Sequence, residues 1–131
     1  FMFTSDLIRK IHNPSRVDFL RVSSYGSGKD TKGKVTITKD IEEGIEGENV
    51  IIVEDIIDSG LTLTRVRDML QDRKPKSLKI CALLDKRTRR KIEIEGDYVG
   101  FTLEDGFVVG YGIDFAEMYR NLPDIFVVVG D

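Results

Sequence analysis

The stretch Asn49–Thr64, NVIIVEDIIDSGLTLT, constrains this chain more than any other. It opens with the unbroken apolar run Val50-Ile51-Ile52-Val53, rich in β-branched residues and too short for a free-standing helix. Such a run predicts a strand buried on both faces. Two carboxylates follow at once, Glu54 and Asp55. Burying a carboxylate is costly, so the strand has to reach a surface or cleft there. Asp58-Ser59-Gly60 and Thr62 then form a loop of small, polar residues, after which Leu63, Val66, Met69 and Leu70 recur at helical spacing. The order is strand, acidic pair, loop, helix.

Each residue type has a use in that order. Open parallel α/β sheets bind ligands beyond the carboxyl ends of their strands. A helix N-terminus offers unpaired N–H groups and a positive dipole end, which suit phosphate. Gly60 lets an anion approach the backbone, and Ser59 and Thr62 can add hydroxyl donors. Glu54 and Asp55 can accept from sugar hydroxyls or approach a hard cation such as Mg²⁺. Together they imply a ligand carrying both a phosphate and a polyol. The competing reading is an ordinary helix start, with Asp58 or Ser59 as its cap. Neither a dinucleotide fingerprint nor a P-loop is present.

At 131 residues the chain is expected to be a single domain with a real core. A net charge of -3 argues against a nucleic-acid partner, which calls for a basic excess. The one cysteine, Cys81, lies in the apolar run Ile80–Leu84 and reads as a buried, inert thiol. It excludes an intrachain disulfide and fits a reducing, cytoplasmic setting. With His12 as the one histidine, no zinc-type cluster is expected. No apolar segment is long enough to span a membrane as a helix.

Around the central stretch, Phe1–Ile11 reads as a helix with Phe3, Leu7 and Ile11 on one stripe, ended at Asn13-Pro14. Val17–Ser23 and Val35–Thr38 read as strands flanking the polar, glycine-rich segment Ser24–Gly33, a candidate lid. Ser77–Leu84 reads as a second buried strand, ending in Asp85-Lys86. The basic run Arg87–Lys91 reads as a solvated stripe. Tyr98–Leu103, Phe107–Gly110 and Ile125–Val129 read as further strands.

The strings SSYG, VEDIIDSGLT, LLDKRT and FVVGYGIDFAEMYRNLP closely resemble those of the type I phosphoribosyltransferases, and within them the hypoxanthine-guanine enzymes. The resemblance implies an α/β fold, a mainly parallel twisted sheet flanked by helices with a small hood built from the C-terminal segments. It implies transfer of a 5-phosphoribosyl group from phosphoribosyl pyrophosphate to a 6-oxopurine, with Mg²⁺ and release of pyrophosphate. Asp58 matches the carboxylate that faces purine N7 as proton acceptor, and Glu54 and Asp55 match the pair holding the ribose hydroxyls. Asp58, Ser59, Gly60, Leu61 and Thr62 match the loop around the 5′-phosphate. Lys86 matches the donor to the 6-oxo group, Phe107 the ring that stacks on the base, and Val108 the residue whose backbone meets the base edge. Asp114 and Arg120 match groups at the pyrophosphate, with Glu54, Asp55 and Asp114 as candidate metal ligands and Ser24-Tyr25 as the lid pair.

Without the resemblance, Lys86 would read as a solvated strand-end charge, Phe107 as core and Arg120 as an exposed helix charge. The family carries a buried strand and a Lys-Gly loop upstream of the stretch matching Phe1–Arg9, so these residues are expected to be part of a longer protein. A homodimer or homotetramer is the expected assembly. The alternative is a non-catalytic regulator of the same fold that binds phosphoribosyl pyrophosphate or nucleotides.

Overall fold

The computed structural model describes residues 1–25 and 34–129 of the 131. Its centre is a three-stranded parallel sheet in the order β3-β4-β5, formed by Asn49–Ile57, Ser77–Lys86 and Tyr98–Leu103. Helix α2 (Leu61–Gln71) makes the crossover from β3 to β4. Two antiparallel pairs flank this unit. Arg21–Tyr25 (β1) pairs with Lys34–Lys39 (β2), and Phe107–Val109 (β6) with Phe126–Val128 (β7), the latter pair forming the hood.

The strand buried on both faces is β4, not β3. With a partner on each side, β4 buries every residue from Ile80 to Lys86. Strand β3 has one partner among the described residues, and Ile51 stays 47% exposed. Its apolar run therefore overstates its burial. Two clusters pack on the sheet. Ile57, Leu63, Ile80, Ala82 and Ile94 form one, anchored by α2 through Leu63. Leu83, Leu84, Val108 and Ile113 form the other, with Phe3 of α1 (Met2–Ile8) and Ile125 against it.

Several boundaries differ from expectation. Helix α1 covers only Met2–Ile8, because the chain tightens into turns in which Lys10 donates to Leu7 and Ile11 to Ile8, ahead of Pro14. It carries no buried residue and is tied to the hood by the Tyr111 hydroxyl, which donates to Asp6. Residues 17–20 are not strand; β1 begins at Arg21 and runs on through Ser24 and Tyr25, which pair with Val35 and Lys34. Residues 26–33 of the expected lid lie outside the described residues, as do the side chains of Ser24 and Tyr25. Strand β4 extends two residues past Leu84, to take in Asp85 and Lys86.

Parallel pairing sets the position of the site. The register matches Ile57 with Asp85, and Lys86 with Leu103. The acidic pair, the Asp58 loop and Lys86 are thereby gathered at the carboxyl edge of one sheet.

Candidate active site

Helix α2 has no side-chain cap. Its N-cap is Gly60, at φ 82°, and neither Asp58 nor Ser59 performs the capping role. The Ser59 hydroxyl makes only a long contact, 3.4 Å, with the Leu61 N–H. The first turn holds no acidic residue. The N-terminal N–H groups of α2 thus retain capacity for an anion.

Gly60 is required twice over. A Cβ there would sit 2.7 Å from Ile94 Cγ2 and 3.0 Å from the Ile92 carbonyl, on a backbone conformation that L side chains rarely adopt. Gly60→Ala is expected to lower stability by about 1–3 kcal/mol and to weaken phosphate binding with it. Thermal unfolding and a nucleotide titration check the two effects separately.

Asp58 follows the last residue of β3. Its Oδ1 is buried without a hydrogen-bond partner; the other such side-chain atom among the described residues is Thr64 Oγ1, in the first turn of α2. Buried polar atoms are nearly always paired, and this acceptor makes no bond among the described residues. Thr64 was not singled out by sequence, since Thr in a helix turn is unremarkable there.

Glu54 and Asp55 are partly buried, side by side at the end of β3. Burial, then the hydrogen bond and charge of Asp55, push the Glu54 carboxyl up from 4.5 to about 8. Glu54 therefore holds a proton where an ordinary carboxylate does not. Glu54 raised in the folded state stabilises the protein below its unfolded value of 4.5, and that contribution is lost as pH rises through about 8. Stability is expected to fall by on the order of a few kcal/mol between about pH 5 and about pH 9, and Glu54→Gln to flatten the fall. Urea unfolding of the two proteins across that range measures the difference.

Lys86 is 3% exposed, which excludes a solvated strand-end charge. Its Nζ donates to the Gly106 carbonyl at 2.5 Å and lies 3.6 Å from Asp105. These contacts turn the ammonium toward the start of the hood. The next residue, Phe107, is 46% exposed, not core; its ring meets Phe115 edge to face at 5.4 Å and 80°. Val108 is buried beside it. Asp114 accepts from the Glu117 N–H at 2.8 Å and pairs with Arg120 at 3.0 Å. Arg120 also donates to the Gly112 carbonyl at 2.9 Å, so it is held by the hood and is no free surface charge.

The match for the phosphoribosyl transferase domain runs over residues 1–116. The chain belongs to the phosphoribosyl transferase family. It is 55% identical over 129 residues to the hypoxanthine phosphoribosyltransferase of Salmonella typhimurium, covering 98% of this chain and 72% of that one. It is 46% identical over 128 residues to the hypoxanthine-guanine phosphoribosyltransferase of Aquifex aeolicus, again over 98% and 72%. Among solved structures, the hypoxanthine-guanine phosphoribosyltransferase of Bacillus anthracis superposes with a TM-score of 0.92 at 56% identity, over 98% of this chain and 76% of that one.

The candidate metal ligands do not form a protein cage. Among the described residues no three His, Cys, Asp or Glu side chains converge, so Glu54, Asp55 and Asp114 do not form one cluster. The donor set still fits Mg²⁺, which takes one or two carboxylates and completes its shell with water and substrate phosphate. The basic run is also corrected. Arg87, Arg89 and Lys91 are exposed, but Arg90 turns inward and pairs with Asp85. A carboxylate inside a buried strand needs a partner, and Asp85 directly after Ile80–Leu84 was the signal for one.

Proposed function

We propose that this phosphoribosyl transferase moves the 5-phosphoribosyl group of phosphoribosyl pyrophosphate onto hypoxanthine or guanine, a purine-salvage reaction giving the nucleoside monophosphate and pyrophosphate. The observation that carries it is the orphan Oδ1 of Asp58 at the head of an uncapped helix, on the same sheet edge as buried Lys86. The names of relatives at this identity favour an enzyme over a non-catalytic regulator.

The α2 N-terminus and the hydroxyls of Ser59 and Thr62 receive the 5′-phosphate. Glu54 and Asp55 accept from the ribose hydroxyls, and the charge on the pair opposes the positive charge that builds on the sugar. Lys86 donates to the 6-oxo group, Phe107 stacks on the base, and the Val108 backbone meets its edge. As the glycosidic bond forms, Asp58 takes the proton from N7. Arg120, with Asp114, faces the pyrophosphate. Glu54, Asp55 and Asp114 would offer carboxylates to Mg²⁺, which would supply charge neutralisation for the pyrophosphate leaving group.

All 131 residues are read as one domain. Exposed apolar side chains such as Phe101 and Met118, 64% and 61% exposed, support a homodimer or homotetramer. No described helix is long and apolar enough to cross a membrane, and the reading is of a cytoplasmic enzyme. The test is release of pyrophosphate from phosphoribosyl pyrophosphate and Mg²⁺ with hypoxanthine, guanine, xanthine and adenine in turn. Turnover with the first two supports the reading; binding of phosphoribosyl pyrophosphate without turnover of any base supports the regulator instead.

A further inference from the structure

Asp85 and Arg90 are absent from every role given above, yet they are the most enclosed ion pair among the described residues, with side chains 1% and 15% exposed. Arg90 spreads its guanidinium over the end of β3 and the loop that follows. Nε donates to the Asp58 carbonyl at 3.0 Å, Nη2 reaches the Ile57 carbonyl at 3.5 Å and bonds Asp85, and Nη1 bonds the Ile94 carbonyl. Asp85 is further held by Arg87 Nε at 3.0 Å. The backbone continues the contact. The Lys91 and Ile92 N–H groups both donate to the Ser59 carbonyl, at 2.9 and 3.3 Å, and Ile94 packs where Gly60 lacks a side chain.

Three successive carbonyls, of Ile57, Asp58 and Ser59, are therefore gripped by the segment Arg90–Ile92. Those peptides set the direction of the Asp58 side chain and the position of the α2 N-terminus. We propose that Arg90, oriented by Asp85, is a positioning residue that fixes Asp58 and the phosphate loop for transfer. The inference rests on the role given to Asp58–Thr62.

The chemistry favours positioning over a generic ion pair. A buried pair is weak evidence for stability, since apolar residues of similar volume often serve as well. An apolar residue at 90 would leave the carbonyls of Ile57, Asp58 and Ile94 without this donor. The planar, multidentate guanidinium reaches acceptors that a lysine ammonium cannot span together. A loss of about ten- to a hundredfold is the scale expected for small displacements of reacting groups.

The experiment compares kcat and KM for phosphoribosyl pyrophosphate in wild type, Arg90→Lys, Arg90→Gln and Asp85→Asn. Arg73→Gln, which breaks the pair with Asp40 just past the C-terminal end of α2, is the control for stability loss alone. Urea unfolding gives the folded fraction of each at the assay temperature. Expected is a kcat about ten- to a hundredfold lower in both Arg90 variants with a raised KM, a smaller loss in Asp85→Asn, and an unchanged kcat in the control. Folded Arg90 variants with kcat within about twofold of wild type, or a control that falls as far, overturn the proposal. If Arg90→Gln does not fold, Arg90→Lys and Asp85→Asn decide it. A wild type inactive with every purine defeats the transfer reading. The brace is then judged by amide exchange of Ser59–Leu63, faster in Arg90→Lys than in wild type if it holds and equal if it does not.

Discussion

Asp58→Asn is expected to reduce turnover by on the order of a hundred- to ten-thousand-fold while leaving nucleotide binding within about tenfold of wild type. The structure sharpens the reason. Asp58 follows β3 directly, its carbonyl is held by Arg90, and its Oδ1 is buried without a partner. A carboxylate so placed is preorganised, and an amide of the same shape preserves the loop. What the amide lacks is a second acceptor that can take a proton. Asn can still accept through its carbonyl, so the ground-state hydrogen bond to the base edge largely survives. The loss should therefore appear in kcat, with KM for the purine little changed, the signature of an interaction made mainly in the transition state. Pre-steady-state chemistry is the measurement of choice, because slow product release can hide a chemical defect in kcat. A variant whose chemical step stays within about threefold of wild type at neutral pH would remove Asp58 from the proton transfer.

The parts of this site that a sequence makes legible are those carried by one continuous stretch. Strand, acidic pair, loop and helix follow one another from Asn49 to Gln71, so local pattern sufficed to read them. What escaped depends on pairing between strands. Burial of β4 over β3 follows from which strand has two neighbours, and both runs are equally apolar in sequence. Arg90 was lost in a basic run because three of its neighbours do face solvent; only the register that sets Ile57 opposite Asp85 shows why one arginine turns inward. In the hood the strands Phe107–Gly110 and Ile125–Val129 were legible, but the turns between them were not. Its chain reverses through Ala116, Glu117 and Tyr119 at positive φ, where no glycine marks the turns. Gly110 and Gly112 were visible, but not what they serve: a Cβ at Gly110 would run into the Asp124 carbonyl.

Lys86→Gln is expected to lower the efficiency with hypoxanthine and to narrow discrimination against adenine. The burial of Lys86 makes the argument stronger than strand position alone could. An ammonium 3% exposed has little water to fall back on, and it carries three donors and no acceptor. One donor goes to the Gly106 carbonyl, and Asp105 at 3.6 Å offsets part of the charge. A 6-oxo oxygen can take another. The 6-amino group of adenine would set hydrogens against the cation and leave a desolvated donor unpaired. Sites built on such a bond reject the wrong analogue by roughly ten-thousand-fold or more. Glutamine keeps a donor for the oxo group and adds an acceptor for the amino group, so the penalty on adenine shrinks as the gain on hypoxanthine does. It also gives up the link to Gly106, which ties β4 to the start of the hood, so a modest fall in the unfolding midpoint should accompany the change. The ratio of kcat/KM for hypoxanthine to that for adenine, in wild type and variant, separates the two effects. A fall in both efficiencies at constant ratio would assign Lys86 to holding the hood alone, whereas a ratio that drops by about a hundredfold or more assigns it to the choice of base.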